Sequence, residues 1–408
     1  MPPKARDGLA WDDSRLDIAP VWAREPSLEA IVNSSEICDV SFYAEGGFNK
    51  LFLARTSHGQ FLMRVSLPVY PHNKTLGEVT TLRFLRRATD VPVPEVIAFD
   101  DSGNNEIGFE WILMECMPGI SAYKIWRTLS AFQKAALPSF KHKYYAIASL
   151  EFELSRLATK HIPRRNSQAR WFQVCSFGGD HFDYDIARGP FRSSYDWLCS
   201  YLEVVIKDQI TAKEEAEEAE DEEDEEDAAF ALGLAHRLVA LLPKIFPSLQ
   251  NPPERSVLLH EDLSLNNILV DGQGNITAII NWECVSAMPL WMATKVPKFL
   301  NGSIREQEPK REEYADESAG ESDESQDGED DQLNNEGKNE LYWIHLMEYE
   351  KTQLRRLYHV CMGQLRPGWD AEVEDSALKE DFAGAVFGCG QGFHVKRIAQ
   401  WIDAIGKV

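Results

Sequence analysis

The sequence predicts an α+β protein of two lobes, a small antiparallel sheet followed by a mainly helical region, with two acidic inserts expected to be disordered. Three observations carry this reading. Short alternating runs between residues 39 and 67 are punctuated by glycine turns. Beyond residue 120 apolar residues recur at helical spacing. Residues 214–227 and 312–331 hold twelve and eleven acidic side chains and no basic one. The expected division is a lead-in at 1–35, a first lobe with its hinge at 36–119, and a second lobe at 120–408 carrying inserts at 213–228 and 306–338.

The chain has 408 residues and 44% hydrophobic content, enough to bury a sizeable core. Its net charge of −24 belongs mostly to the two runs, since only about −1 remains without them. EEAEEAEDEEDEED and EEYADESAGESDESQDGEDD therefore read as solvated segments. The sharper alternative is an interaction tail for a basic protein partner, or a phosphorylated regulator using Ser318, Ser322 and Ser325. Such a negative field argues against direct nucleic-acid binding. Seven scattered cysteines without a C-x-x-C pair suggest neither a disulfide framework nor a zinc site, and point to a reduced compartment. No run of eighteen or more apolar residues occurs, and the start MPPKARDGLAWDD lacks an apolar signal core. The expectation is an intracellular, cytoplasmic protein that spans no membrane.

Taken in order, residues 1–35 show little pattern beyond a short helix at Ser27 to Val32. Val40 to Ala44, Asn49 to Thr56 and Gln60 to Leu67 read as three antiparallel strands, with turns at Glu45-Gly46-Gly47 and Ser57-His58-Gly59. Glycine amides, free of Cβ bulk, can approach phosphate oxygens closely, although a plain hairpin uses the same pair. Arg64, on the third strand in FLMRVSLPV, is a permanently charged fork for phosphate or carboxylate oxygens, or simply a surface arginine. Residues 73–88, NKTLGEVTTLRFLRRA, read as a helix striped by Leu76, Val79, Leu82 and Leu85, with Glu78 beside the stripe. The prolines of VPVPEVIAF fix an extended connection. A strand over Gly108 to Met114 then ends in Glu115-Cys116-Met117-Pro118-Gly119, a connection between lobes.

Residues 121–160 contain helix-like stretches, notably His142 to Lys160, and Arg164 to Ser194 is a glycine- and aromatic-containing connection. Helices follow at Tyr195 to Ile210 and Ala228 to Leu242, the second ended by Pro243. Asn339 to Tyr358 has helical spacing, and its Glu348, Glu350, Lys351, Arg355 and Arg356 form either a substrate cleft or, more simply, a solvated face. Phe382 to Ile405 closes the chain with a helix carrying Ile398 and Trp401.

The chemistry concentrates in Leu258 to Leu290, LLHEDLSLNNILVDGQGNITAIINWECVSAMPL. Ile268-Leu269-Val270 and Ile276 to Ile280 are apolar β-branched runs around Asp-Gly-Gln-Gly-Asn, which reads as a hairpin. Asn267 and Asn281 flank it, and paired strands lie about 5 Å apart, so both side chains can touch one metal ion. Asp262 can then reach a hydroxyl presented to the metal-bound phosphate. His260-Glu261-Asp262 with Asn267 spells H-x-D-x-x-x-x-N, a catalytic-loop spacing for phosphoryl transfer.

HEDLSLNNILV, ITAII and WECVSAMPLW resemble the fungal branch of the aminoglycoside phosphotransferase and choline kinase-like families, which share a small-molecule version of the protein kinase fold. The resemblance covers roughly residues 35–405. It implies ATP as donor, Mg²⁺, and a small-molecule hydroxyl as acceptor. It places Gly46 and Gly47 over the phosphates, Arg64 where a kinase has its phosphate-pairing lysine, Glu78 as that cation's helix partner, and the Glu115 and Met117 backbone at the adenine edge. Asp262 becomes the catalytic base, with Asn267 and either Asn281 or Glu283 on the metal. His260 is expected to brace the loop and Trp282 to pack. No A-P-E segment follows the hairpin, which argues against a protein kinase.

One position departs from the family. Where D-W-E is expected, the chain has Asn281-Trp282-Glu283. An amide offers Mg²⁺ a neutral oxygen in place of a charged one. Losing a unit charge about 4 Å from another costs on the order of 4 kcal/mol at an effective dielectric of 20, roughly a thousandfold in rate. Two functions follow: an ATP-dependent small-molecule phosphotransferase, or alternatively a pseudokinase retained as a binding or scaffold module.

Overall fold

A computed structural model describes residues 7–12, 19–27, 39–139, 184–187, 191–248, 254, 256–316, 336–390 and 395–405. The first lobe is built on a five-stranded antiparallel sheet of β3 (Asp39–Glu45), β4 (Asn49–Thr56), β5 (Gly59–Ser66), β6 (Val96–Asp100) and β7 (Glu110–Glu115), in the order β3-β4-β5-β7-β6. Strand alternation sorts its side chains. Phe52, Met63, Val65 and Phe109 form a core on one face. Ile112 and Met114 point the other way, against Val79 of the helix α1 (Asn73–Ala88). Arg64 pairs in register with Ile112, so it too faces α1 and is 5% exposed. It is not a surface arginine.

The lead-in has more structure than its sequence suggests. β1 (Leu9–Asp12) and β2 (Ala19–Trp22) form an antiparallel hairpin. Leu9 is buried and Trp22 meets the Phe109 ring edge-on at 5.0 Å. Gly8 has φ 80°, and a Cβ there would collide with the Phe109 ring. Arg24 stacks on the same ring and donates to the Gly108 carbonyl. The expected helix at Ser27 to Val32 falls almost wholly outside the described residues.

Beyond β7 the chain docks on the second lobe. β8 (Ile120–Ser121) pairs with β10 (Ile268–Val270), which pairs with β11 (Ile276–Ile279), while β9 (Ser256–His260) pairs with β12 (Val285–Pro289). Gly119 has φ 117°, and a Cβ there would strike Thr277 and the Val270 carbonyl. The hinge therefore lies directly on the hairpin. A shared core joins the lobes, with Leu82 and Leu85 of α1 beside Leu263, Ile268, Trp282 and Tyr358. Short helices α2 (Ala122–Ile125) and α3 (Ala131–Ser139) follow the hinge. The helix expected at His142 to Lys160 lies outside the described residues, as does most of Arg164 to Ser194.

A second core gathers α4 (Ser194–Ala219), α5 (Glu222–Ile245), α7 (Trp369–Gly388) and α8 (Val395–Ile405) around Trp197, Leu202, Leu238 and Phe382. The remaining long helix, α6 (Glu340–Leu365), spans the stretch expected from its spacing and contributes Leu354 and Tyr358 to the shared core. Pro243 does not end α5, which continues to Ile245 because Leu242 and Phe246 are buried on either side of the proline. α5 is long and apolar enough to cross a membrane, but its Leu234, Ala235, Leu238 and Leu242 line the core.

The first acidic run corrects the expectation of disorder over 213–228. It forms the tip of the α4–α5 hairpin. Glutamate and alanine are good helix formers. Asp221 caps α5 by accepting from the Glu223 and Asp224 amides, and four acids occupy the first turn, where the helix dipole favours them. Ala216 and Ala228 are buried, and Lys213 pairs with both Glu217 and Glu225. In the second insert, residues 306–316 and 336–338 are also ordered. Asp316 bridges to Lys338, and Tyr314 packs on Tyr342. The remainder, 317–335, lies outside the described residues.

Candidate functional site

Asp262 follows β9 in a loop that closes on itself. The Ser264 amide donates to the Asp262 carbonyl, the Asn267 amide to the Ser264 carbonyl, and buried Leu263 and Leu265 anchor the turn. The Asn267 side chain donates to the Asp262 carbonyl at 2.7 Å and to its carboxylate Oδ2 at 2.9 Å. One amide thus fixes both the loop and the carboxylate. His260 lies 3.1 Å through Nε2 from the Ile280 carbonyl, and burial lowers its pKa, which keeps the ring neutral. It braces β9 against β11, with Trp282 packed against its ring.

The hairpin brings Asn281 to the same carboxylate. The Ile280 amide donates to the Asn267 carbonyl, and Asn281 Nδ2 lies 3.4 Å from Asp262 Oδ2. Asn281 adopts φ 64°, ψ 59°, a left-handed conformation that asparagine and aspartate tolerate better than most residues. Lys298, in the short helical turn Lys298–Leu300, completes the cluster with Nζ 2.6 Å from Asp262 Oδ1. Nothing in the local sequence marks Lys298, because the segment after β12 must fold back to deliver it.

A second cluster sits between α1 and the hairpin. Arg64 and Glu78 form a buried ion pair. Lys74 Nζ lies 2.7 Å from Glu283 Oε2 and 2.8 Å from Asn49 Oδ1, while Asn49 Nδ2 donates to the same Glu283 oxygen at 2.8 Å. Burial alone would raise the Glu283 pKa, but Lys74 and Arg64 pull it down to about 2. Lys74 escaped the sequence reading, yet a signal was present. It precedes Glu78 by four residues, so one helix face presents both.

The remaining predicted residues frame these clusters. The Gly46 amide donates to the Asn49 carbonyl, so the residue that closes the Gly46-Gly47 turn also bonds Glu283. Among the described residues, no atom beyond the chain neighbours stands within 4 Å of a Cβ built on either glycine. At the hinge the Glu115 amide donates to the Glu95 carbonyl and its carboxylate pairs with Arg86. Met114 is buried with Val79 and Ile112.

Among the described residues no group of three or more histidine, cysteine, aspartate or glutamate side chains is placed to hold a metal. Glu283 is engaged by two cations. Asn267 and Asn281 offer two amide oxygens beside the Asp262 carboxylate, a pair that would suit Mg²⁺ arriving with phosphates better than a cage made of protein alone.

A family model described as the phosphotransferase enzyme family matches residues 39–292. A subtelomeric hrmA-associated cluster protein of Aspergillus fumigatus is 28% identical over 64% of this chain and 60% of its own length. The clavilactone A biosynthesis cluster protein Y of Ampulloclitocybe clavipes is 27% identical over 56% of this chain and 54% of its own. The chain thus spans about 60% or less of the curated relatives it matches. Solved structures with a similar course include an apo thermostable mutant of aminoglycoside phosphotransferase APH(4)-Ia, at 16% identity and TM-score 0.38, covering 89% of this chain and 99% of that one. The GDP and kanamycin complex of APH(2")-IIia stands at 11% identity and TM-score 0.41, covering 92% and 96%.

Proposed function

We propose that this chain, which belongs to the phosphotransferase enzyme family, transfers the terminal phosphoryl group of ATP to a hydroxyl of a small molecule. The observation that carries the reading is the convergence of Asn267 and Asn281 on Asp262. A carboxylate whose one oxygen is fixed by two amides is oriented to accept a proton through the other. In this scheme residues 36–119 form the nucleotide-covering lobe and its hinge, and 120–408 the catalytic lobe. Gly46 and Gly47 offer backbone amides to the phosphates, and Arg64, held by Glu78, supplies positive charge at their edge. The Glu115 carbonyl and Met117 amide read the adenine.

Asp262 accepts the acceptor's proton as that oxygen attacks the terminal phosphorus. Mg²⁺, carried on the phosphates and met by Asn267 and Asn281, would neutralise charge on the leaving diphosphate. Positioning and charge account for most of the rate in such transfers, so Asp262→Asn is expected to lower phosphoryl transfer roughly a thousandfold while ATP still binds. Assaying ATP consumption against pooled small-molecule hydroxyl compounds tests this. Equal turnover by both proteins would remove Asp262 from the chemistry.

One observation favours a second reading, a pseudokinase acting as a binding or scaffold module. Asn281 stands where the family's metal-binding aspartate is expected, and Glu283 is already committed to Lys74. On that reading the folded chain binds nucleotide without consuming it.

A further inference from the structure

Both oxygens of Asp262 are engaged, and in different ways. Oδ2 is held by the amides of Asn267 and Asn281, whose backbones are tied to each other through the Ile280 amide. Oδ1 is held by one flexible side chain, Lys298, which is 54% exposed. An acceptor hydroxyl must donate to one of these oxygens, and only Lys298 can yield without dismantling the loop. The oxygen that works as base is therefore Oδ1, and the group displaced from it is an ammonium.

That ammonium cannot go far. The Phe299 amide, next to Lys298, donates to the carbonyl of Leu263, next to Asp262, at 2.8 Å. Phe299 and Leu300 are buried, and Arg355 of α6 donates to the Leu300 carbonyl at 2.6 Å. The backbone after Lys298 is tied both to the Asp262 loop and to α6, and the Lys298 carbonyl itself accepts from the Asn301 amide, so the side chain is the part left to move. An exposed lysine–aspartate pair is ordinarily worth little to stability. Its fixed position on the reacting carboxylate asks for another role.

We propose that Lys298 is a further catalytic residue of the phosphotransferase reading above. When nucleotide and acceptor bind, its ammonium leaves Asp262 Oδ1 and contacts the terminal phosphate. The acceptor oxygen then bonds to the terminal phosphorus as the bridging P–O bond breaks. The bonding pair departs with the nucleoside diphosphate, and the hydroxyl proton passes to Oδ1. Lys298 thereby brings to the transferring group a positive charge beyond the one that a metal held by two neutral amides would supply.

A contact to the terminal phosphate separates ATP from ADP. Calorimetric titration of the full chain with each nucleotide, in the presence of Mg²⁺, is the test. Lys298→Met is expected to weaken ATP binding about tenfold, the loss of one charge-assisted hydrogen bond, with ADP binding little changed. Lys298→Arg keeps the charge and is expected to restore ATP binding. Lys298→Gln takes the place of the methionine variant if that protein does not fold. Equal effects on both nucleotides, or none on either, overturn the assignment of Lys298 while the phosphotransferase reading stands. A wild-type chain that binds neither nucleotide overturns both.

Discussion

Lys74 of α1 and Glu283 beyond β11 meet at 2.7 Å, both side chains buried, and so tie the first lobe to the β10–β11 hairpin. Removing Lys74 leaves the buried Glu283 charge with only Arg64 at 3.9 Å and the Asn49 amide to compensate it. Lys74→Met is therefore expected to cost about 2 to 3 kcal/mol of stability, below the full penalty of an unpaired buried charge, and the double variant Lys74→Met, Glu283→Leu markedly less. Urea unfolding midpoints measure both. Additive losses would mean that the two side chains do not depend on each other.

The same pair sets an acid limit. Glu283 ionises at about 2 in the folded chain, against an ordinary value of 4.5. A depressed carboxylate contributes stability that is complete above pH 4.5 and is lost as pH falls through about 2, on the order of 3 kcal/mol. The stability difference between the wild type and Glu283→Gln should stay level above pH 5 and shrink below it. A difference that grows on acidification contradicts the sign.

Asn281→Asp restores the carboxylate that the family pattern expects, in a backbone conformation aspartate tolerates. Without metal, the new charge faces Asp262 Oδ2 at 3.4 Å and should lower stability by up to about 5 kcal/mol at an effective dielectric of 20, part of it offset by Lys298. With Mg²⁺ and ATP, thermal stability should recover and turnover rise roughly a thousandfold. A folded variant with no turnover at all would favour the scaffold reading.

At the acidic tip, Asp221 caps α5 through two backbone amides. Asp221→Ala should cost about 1 kcal/mol locally. It should speed amide hydrogen exchange over residues 214–227, whose helical amides in the wild type exchange more slowly than those of a solvated coil. Coil-like exchange in the wild type would return the run to the expectation of disorder.

The readable and the unreadable parts of this protein differ in range. The strands at 39–66, the helix at 73–88 and the hairpin at 268–279 follow from alternation, helical spacing and turn residues, all of which act over a few positions. Composition misled where the competing force was also local but different in kind. Glutamate-rich residues 214–227 look solvated by charge, yet a cap, the helix dipole and two buried alanines make them helical. The lead-in was missed because its hairpin is held by Phe109, about ninety residues away.

Within the site the division is sharper. Spacing alone was enough to put Asp262, Asn267 and Asn281 at one place, because a short loop and a two-stranded turn leave the chain few alternatives. Which charges surround them was decided in three dimensions. Lys298 reaches Asp262 only because Phe299 and Leu300 are buried behind the loop, and Lys74 claims Glu283 only because α1 packs on the hairpin. Ion pairs form between whatever the packed core brings within reach, and that core is assembled from residues hundreds of positions apart.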